Sequence, residues 1–172
     1  MQLSEVERWI LSNQYRILER LYPEYEDSFK EAQEAIGCGY ELEYDGLSQH
    51  IYSGQQVMTT VECQEVINIL AMFSVLARTY KSLPNTADTD ESSIRFPGFD
   101  ENTEGKQIRY ARYFCRSGSG NFTDLDRPDD FNSHMPTLDS YRRMLAAWSA
   151  TESKYKLSKD DIIRIASARR AE

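Results

Sequence analysis

The sequence has little of what carries covalent stabilisation or catalysis. Its three cysteines, Cys38, Cys63 and Cys115, are an odd number without CxxC spacing. This pattern disfavours a disulfide framework and a zinc site, and it favours a reducing cytoplasm. The two histidines, His50 and His134, lie far apart, and no nucleophile-bearing motif accompanies His50. We therefore expect no metal and no cofactor, and we lean away from an enzyme.

Targeting signals and repeats are also missing from the sequence. The amino terminus, MQLSEVERW, lacks the basic region followed by an apolar region of a signal peptide. We find no apolar run that we consider long enough to span a bilayer, and no internal repeat. A net charge of -8 disfavours unassisted binding to a nucleic-acid backbone. We therefore expect one cytoplasmic domain over residues 1–172, without a membrane contact.

What is present is one dominant apolar stretch, residues 59–80. Thr59 followed three residues later by Glu62 is a capping box, which predicts a helix start at this point. The helical spacing places most of the large apolar residues on one broad arc, namely Val66, Ile69, Leu70, Phe73, Leu76, Ala77 and Tyr80. So wide an arc predicts a helix that packs on several neighbours and forms the core.

Further helices are predicted by the same periodicity on both sides of this stretch. We expect them at about residues 3–21, 25–36, 103–117 and 138–150, with a last one starting at Ser158. Asp100, Asn102 or Thr103 is the expected cap of the helix at 103–117, Thr137 is the expected cap of the helix at 138–150, and Ser158 with Asp161 is the expected capping pair of the last helix. Residues 40–44 alternate aromatic or apolar residues with acids, which predicts a short strand. The predicted fold is mainly α, a single multihelical domain of about six to seven helices with at most a minor short hairpin.

The first predicted helix carries a polar pair beside its apolar stripe. The stripe is formed by Leu3, Val6, Ile10, Ile17 and Leu21, with Trp9 at its edge. Asn13 and Gln14 interrupt it. They are candidates for contact with a small ligand, and the alternative is a buried interhelical hydrogen bond.

A second candidate is the helix over residues 103–117, where Arg109, Arg112 and Arg116 fall close together with Tyr113 beside them. Arginines near aromatics can hold phosphate or stack on bases. The alternative is a solvated or salt-bridged face in a protein with many acids.

The segment 118–136 is loop-like and contains Arg127 and His134, with six residues between them. Helical RNases of the HEPN superfamily use an arginine and a histidine at a similar spacing on a helix, for acid–base cleavage of RNA. Pro128 and the turn-forming residues around it argue against a helix here. Arg127 and His134 are therefore only weak catalytic candidates.

A further candidate is the segment RFPGFDENTE, which begins at Arg95 and leads into a predicted helix. A turn rich in glycine and aromatics before a helix amino terminus can present amides to an anion. Asp100, Glu101 and Glu104 at this end oppose an anion, so a packed turn with a capped helix is the alternative. Arg95 is retained as a binding candidate.

Four segments in order along the chain resemble the YfbU family. They are ERWILSNQYRIL (Glu7 to Leu18), GYELEY (Gly39 to Tyr44), RFPGFDENTE (Arg95 to Glu104) and MPTLDSYRRMLAAW (Met135 to Trp148). The resemblance implies a bacterial, cytoplasmic, mainly helical domain without an established biochemical activity. Some members of that family carry a ribbon-helix-helix DNA-binding segment before this domain. This chain enters the domain almost at its first residue, so we do not expect direct DNA binding.

From these observations we expect a non-enzymatic regulatory or protein-interaction domain that forms a homo-oligomer. The basis is the missing catalytic constellation together with aromatic-rich helices and arginines, the residue types enriched at interfaces. Two alternatives stay open. One is a protein that binds or cleaves RNA, using the arginines of residues 109–116 with Arg127 and His134. The other is a small-ligand sensor that uses Asn13 and Gln14.

Overall fold

The protein is mainly helical, as predicted. A computed structural model describes residues 1–84, 90–117, 122, 125 and 128–170. Over these residues the chain forms eight α-helices and no β-strand, with one isolated bridge between Phe99 and Asn132. Six of the helices have nine residues or more, and the other two have four residues each. The chain divides into two compact units, an amino-terminal one, Met1–Gly54, and a carboxy-terminal one, Gln55–Glu172. One domain over the whole chain stays a prediction.

The amino-terminal unit is a helical hairpin followed by short helical turns. Helix α1 spans Glu5–Leu21 and α2 spans Glu26–Cys38. The Ser4 hydroxyl and the Glu7 carboxylate form a capping box at the start of α1. Helix α2 ends at Gly39, whose φ of 75° is the left-handed conformation that favours glycine at a helix end.

The predicted strand at residues 40–44 is wrong. The chain forms a 3-10 turn at Glu41–Glu43 and then the short helix α3, Tyr44–Leu47. Leu42 is 90% exposed, whereas Tyr44 is buried. Alternation of side chains along the sequence does not make a strand without a neighbouring strand to complete the backbone hydrogen bonds, and none is present among the described residues.

The carboxy-terminal unit is built around helix α4, Thr60–Ser82. Thr59 and Glu62 form the predicted capping box, and residues Val66 to Leu76 supply most of the buried surface of α4. The other helices are α5 (Glu91–Ile94), α6 (Gly105–Arg116), α7 (Leu138–Ser149) and α8 (Lys159–Ser167). Helices α5, α6, α7 and α8 each contact α4, and α8 also contacts α5 and α7. The central position that we predicted for this stretch is confirmed.

Two ion pairs join α4 to its neighbours at the surface. The Lys106 ammonium of α6 donates to the Glu62 carboxylate. The Arg142 guanidinium of α7 donates through Nε and Nη2 to the two carboxylate oxygens of Glu65, at 2.8 and 3.1 Å. The hydrogen bond from Lys106, together with those from the amide and hydroxyl of Thr59, lowers the pKa of Glu62 to about 2. Glu62 therefore both caps α4 and connects it to α6.

One expectation about the central stretch needs correction. By length and composition, Gly54–Ser82 is apolar enough to cross a membrane, contrary to what we expected from the sequence. Its most apolar positions, including Ile69, Leu70 and Phe73, are fully buried among the other helices of the same unit. This burial is what the core helix of a globular domain shows, and a core helix meets the same criteria of length and composition.

Candidate functional site

Helix α1 has two opposite apolar sides, and only one of them packs against α2. The side toward α2 carries Leu11, Tyr15 and Leu18, which are half-buried. The rings of Tyr15 and Phe29 lie 6.1 Å apart between centroids. On the same side, the Arg8 guanidinium donates to the carbonyl oxygen of Ile36 at 3.4 Å. These contacts identify the surface that closes the hairpin.

The other side of α1 is the stripe predicted from the sequence. Leu3 precedes the helix and is half-buried, whereas the rest of the stripe is exposed. The exposed fractions are 62% for Val6, 69% for Trp9, 47% for Ile10, 60% for Ile17 and 64% for Leu21. No residue of α1 is buried. Single exposed apolar residues are ordinary, but a contiguous apolar patch marks an interaction surface. We call these five residues the α1 patch.

Asn13 and Gln14 lie at the middle of the α1 patch. Asn13 is half-buried and Gln14 is exposed. Neither side-chain amide makes a hydrogen bond to another residue that the structure describes. The predicted interhelical hydrogen bond is therefore not formed within the described part of the chain. A ligand contact through these amides stays a prediction.

The arginines at 109, 112 and 116 lie on α6, as predicted, but they differ in their surroundings. Arg109 and Arg116 are exposed, whereas Arg112 is half-buried. The Arg112 Nε donates to the carbonyl oxygen of Asp130 at 2.9 Å and lies 2.8 Å from its carboxylate. Its Nη1 donates to the Glu101 carboxylate at 3.1 Å. Arg112 therefore joins α6 to two acidic segments, which agrees with the alternative of a salt-bridged face.

The two weak catalytic candidates are not both described. Arg127 lies outside the described residues. His134 is exposed in a non-helical segment, and its backbone amide donates to the Asn132 side chain at 3.1 Å. Its φ is 55°, and those of Asp130 and Phe131 are 48° and 69°. Non-glycine residues rarely adopt this left-handed conformation, and it persists only where the surroundings impose it.

The surroundings that hold this segment come from the RFPGFDENTE turn. The Phe99 amide donates to the carbonyl oxygen of Phe131 at 2.8 Å, and the Ser133 amide donates to that of Phe99 at 3.1 Å. Gly98 has a φ of 103°, and a Cβ placed there would lie 2.0 Å from the carbonyl oxygen of Phe131. The Tyr141 hydroxyl donates to the carbonyl oxygen of Gly98 at 2.6 Å. The turn is thus fixed by backbone contacts that only glycine at position 98 permits.

Glu104 gives this turn a structural role that sequence reasoning missed. Its side chain is 6% exposed, and its carboxylate accepts four hydrogen bonds. Oε1 accepts from the backbone amides of Thr137 at 2.7 Å and Leu138 at 2.6 Å. Oε2 accepts from the Asp100 amide and the Thr137 hydroxyl, each at 2.9 Å. The amides at the start of α7 therefore bind the carboxylate of Glu104 and not an external anion.

Two predicted caps need correction as a result. Glu104, not Asp100, Asn102 or Thr103, is the N-cap residue of α6, and no side chain caps that helix. Thr137 occupies the N-cap position of α7, but the single hydrogen of its hydroxyl is shared between the Glu104 carboxylate and the carbonyl oxygen of Gly98. Asp100 is used one turn earlier: the hydroxyl and amide of Thr103 donate to its carboxylate, which lowers the pKa of Asp100.

Arg95, the remaining binding candidate, is exposed beside a shallow surface pocket of about 260 Å³. Five other residues line it, namely Ser92, Pro97, Asn132, Ser133 and Arg169. The Arg169 Nη1 donates to the carbonyl oxygens of Ser92, Ser93 and Arg95, at 3.2 to 3.3 Å. Arg169 therefore holds the end of α5 against α8. Binding by Arg95 stays a prediction.

Potential metal ligands are dispersed over the molecule. Within the described ranges, no group of three or more His, Cys, Asp or Glu side chains is placed to hold a metal ion. None of the three cysteines forms a disulfide bond. Among the candidate surfaces described above, only the α1 patch exposes several large apolar side chains that packing against α2 does not cover.

The comparison with protein families agrees with the resemblance seen in the sequence. The model of the YfbU domain matches residues 1–168, which is nearly the whole chain: all of the amino-terminal unit and residues 55–168 of the carboxy-terminal one. The four motif segments all fall within this match, and the Glu104 cap joins two of them. The chain belongs to the YfbU family.

Proposed function

We propose that this protein is a non-enzymatic interaction protein of the bacterial cytoplasm that acts as a homo-oligomer and has a regulatory role. The observation that carries the proposal is the α1 patch. Five large apolar side chains on one side of a helix are exposed, while the opposite side already packs on α2. Apolar surface of this kind favours association, because burying it removes it from water.

Composition and family membership support the other parts of the proposal. The net charge of -8 and three cysteines that form no disulfide bond suit a soluble protein in a reducing compartment. The regulatory role rests on the resemblance described above, since some family members carry a DNA-binding segment. The hydroxyl–carboxylate pairs of Ser4 with Glu7, Thr59 with Glu62 and Ser158 with Asp161 are helix caps, and the interaction role rests on the α1 patch.

The RNA alternative is not favoured by a described contact. Arg112, the centre of the arginine stripe, is occupied by Asp130 and Glu101. Arg109 and Arg116 remain exposed on α6, so RNA binding stays a prediction that the same experiment addresses.

The experiment is native mass spectrometry on protein purified gently from its own cells. A defined oligomer without additional mass supports the proposal. A monomer over the whole accessible concentration range refutes self-association. Additional mass from an RNA fragment, nucleotide or metabolite refutes the non-enzymatic interaction role in favour of one of the two alternatives.

A further inference from the structure

The charged side chains beside the α1 patch are separated by sign along the helix. At about 100° per residue, Glu5, Trp9, Arg16 and Arg20 fall along one flank of the patch. The acid lies in the first turn, and both arginines lie in the second half of the helix. All three charged residues are exposed. Within the same copy, the Arg20 guanidinium attracts the Glu26 carboxylate. The flank is therefore acidic at one end and basic at the other.

We infer that the α1 patch binds the same patch of a second copy of this chain, with the two α1 helices antiparallel. This inference rests on the proposed self-association and specifies its interface. A two-fold axis makes such a contact self-complementary. Where one residue of the first copy contacts a second residue of the other copy, the same two residues also make the reciprocal contact. The partner is thus a second copy, and the contact closes as a dimer.

The apolar residues match in this orientation. We place the two-fold axis between the two helices, at the level between Asn13 and Gln14. Ile10 then lies at the level of the partner's Ile17, and Val6 at the level of the partner's Leu21. Each of these four side chains then meets an apolar side chain. The same axis places Asn13 at the level of the partner's Gln14 and one residue, about 1.5 Å along the helix, from the partner's Asn13, so that these amides can hydrogen-bond. A single polar residue in an apolar helix seam fixes register and orientation, which gives the interruption of the stripe a physical reason.

The charges select the antiparallel orientation over the parallel one. In an antiparallel pair, equivalent flanks adjoin, so Glu5 lies near the partner's Arg20. Trp9 lies between the levels of the partner's Arg16 and the partner's Arg20, in reach of a cation–π contact. In a parallel pair the two acidic first turns adjoin, which brings Glu5 near the partner's Glu7. Like charges in such positions oppose association.

The size of the patch sets the expected strength. Helix α1 has 17 residues and is therefore about 26 Å long. One pair of helices of this length buries less than the roughly 800 Å² per partner of a standard interface. We therefore expect a dimer that dissociates on dilution and weakens as salt screens the flanking charges.

The test is a charge-reversal cycle followed by sedimentation equilibrium on the full chain. Glu5→Arg and Arg20→Glu each replace an attraction by a repulsion twice per dimer, and we expect each to weaken dimerisation by roughly tenfold. The double variant exchanges the two charges, and we expect its dissociation constant to return to within about twofold of the wild type. The two residues are 15 positions apart on one helix, about 22 Å, so recovery cannot arise within a single copy.

Matched controls separate this effect from net charge and from misfolding. Lys156→Glu and Glu152→Arg make the same changes in net charge at exposed positions of the carboxy-terminal unit, and we expect dimerisation to change by less than about twofold. Far-UV circular dichroism checks that every variant keeps its helix content.

The results distinguish the α1 interface from self-association as such. Recovery in the double variant supports the antiparallel α1 pair. A wild-type oligomer whose singles are unaffected, or whose double variant is as weak as the two losses combined, overturns the α1 interface and leaves self-association intact. A wild-type protein that stays monomeric overturns both.

Discussion

Glu104 offers the sharpest test of how the turn at residues 95–104 holds the carboxy-terminal unit together. In the variant Glu104→Ala, the backbone amides of Asp100, Thr137 and Leu138 lose their acceptor at a site that is 6% exposed. An unsatisfied buried donor costs about 1–3 kcal/mol. Partial entry of water and loss of a shared acceptor make the three costs less than additive, so we expect a loss of about 4 kcal/mol.

That loss is large for a protein of this size. Native proteins have unfolding free energies of about 5–15 kcal/mol, so the variant would lose a quarter or more of its stability. In a domain of this length, about 4 kcal/mol corresponds to a decrease in Tm of roughly 8–16 °C. Urea unfolding followed by far-UV circular dichroism measures the change.

The milder variant Glu104→Gln separates charge and hydrogen bonding from volume. Its carbonyl oxygen can still accept from the two amides at the start of α7, while its amide group replaces the acceptor that faces the Asp100 amide. We expect a loss of about 2 kcal/mol, from one unsatisfied buried donor. Hydrogen exchange should quicken most at Asp100. In Glu104→Ala, it should quicken at Thr137 and Leu138 as well.

The matched control is Glu152→Gln, the same chemical change at an exposed side chain of the same unit. We expect its unfolding free energy to lie within about 0.5 kcal/mol of the wild type. If Glu104→Ala were no more destabilising than this control, the carboxylate would not be holding α7, and the account of the turn would be refuted.

Three further predictions concern the same unit. Gly98→Ala should destabilise by more than about 3 kcal/mol in urea unfolding, because its Cβ would overlap a carbonyl oxygen 2.0 Å away, whereas Gly105→Ala meets only an arginine side chain at 3.3 Å and should be tolerated. Leu70→Asp places a carboxylate in a fully buried position and should prevent stable folding, whereas Val61→Asp, on a side chain of the same helix that is 79% exposed, should retain the far-UV spectrum. Glu62 has a folded-state pKa of about 2 against an ordinary value of 4.5, so its contribution to stability is complete above pH 4.5 and is lost as the pH falls toward 2. An NMR titration of its carboxyl carbon should show that low midpoint, and a midpoint near 4.5 would contradict the hydrogen bonds assigned to it.

The helices could be predicted because their signals are local. Thr59 with Glu62, and Ser158 with Asp161, are capping pairs three residues apart, and both caps form in the structure. The 3.6-residue spacing likewise identified the buried side of α4. These signals need no knowledge of what the helix packs against.

The structural features that we missed or predicted wrongly depend on residues distant in sequence. The Glu104 carboxylate caps a helix that begins 34 residues later, at Leu138, and no spacing rule connects the two. Residues 40–44 have the alternation of a strand, but no neighbouring strand pairs with them among the described residues. Secondary structure at such places is decided by tertiary contacts, which a single sequence does not display.

Only part of the candidate site could be predicted from the sequence, for the same reason. The spacing identified the α1 patch correctly as one apolar face. It did not reveal that Leu11, Tyr15 and Leu18 form a second apolar side, nor which of the two sides α2 covers. A helix that is apolar on two sides requires two partners, and the structure supplies one of them through α2.

Sedimentation equilibrium of the full chain, compared with the variant Ile10→Asp/Ile17→Asp, tests the central claim most directly. Both positions are exposed, so the substitutions should leave the helix content unchanged while they place charges within the α1 patch. Val61→Asp, at another exposed apolar position, serves as the control. We predict a wild type and a control that associate as the concentration rises, and a double variant that stays monomeric. A double variant that associates as strongly as the wild type, or a wild type that remains monomeric throughout, would contradict the account.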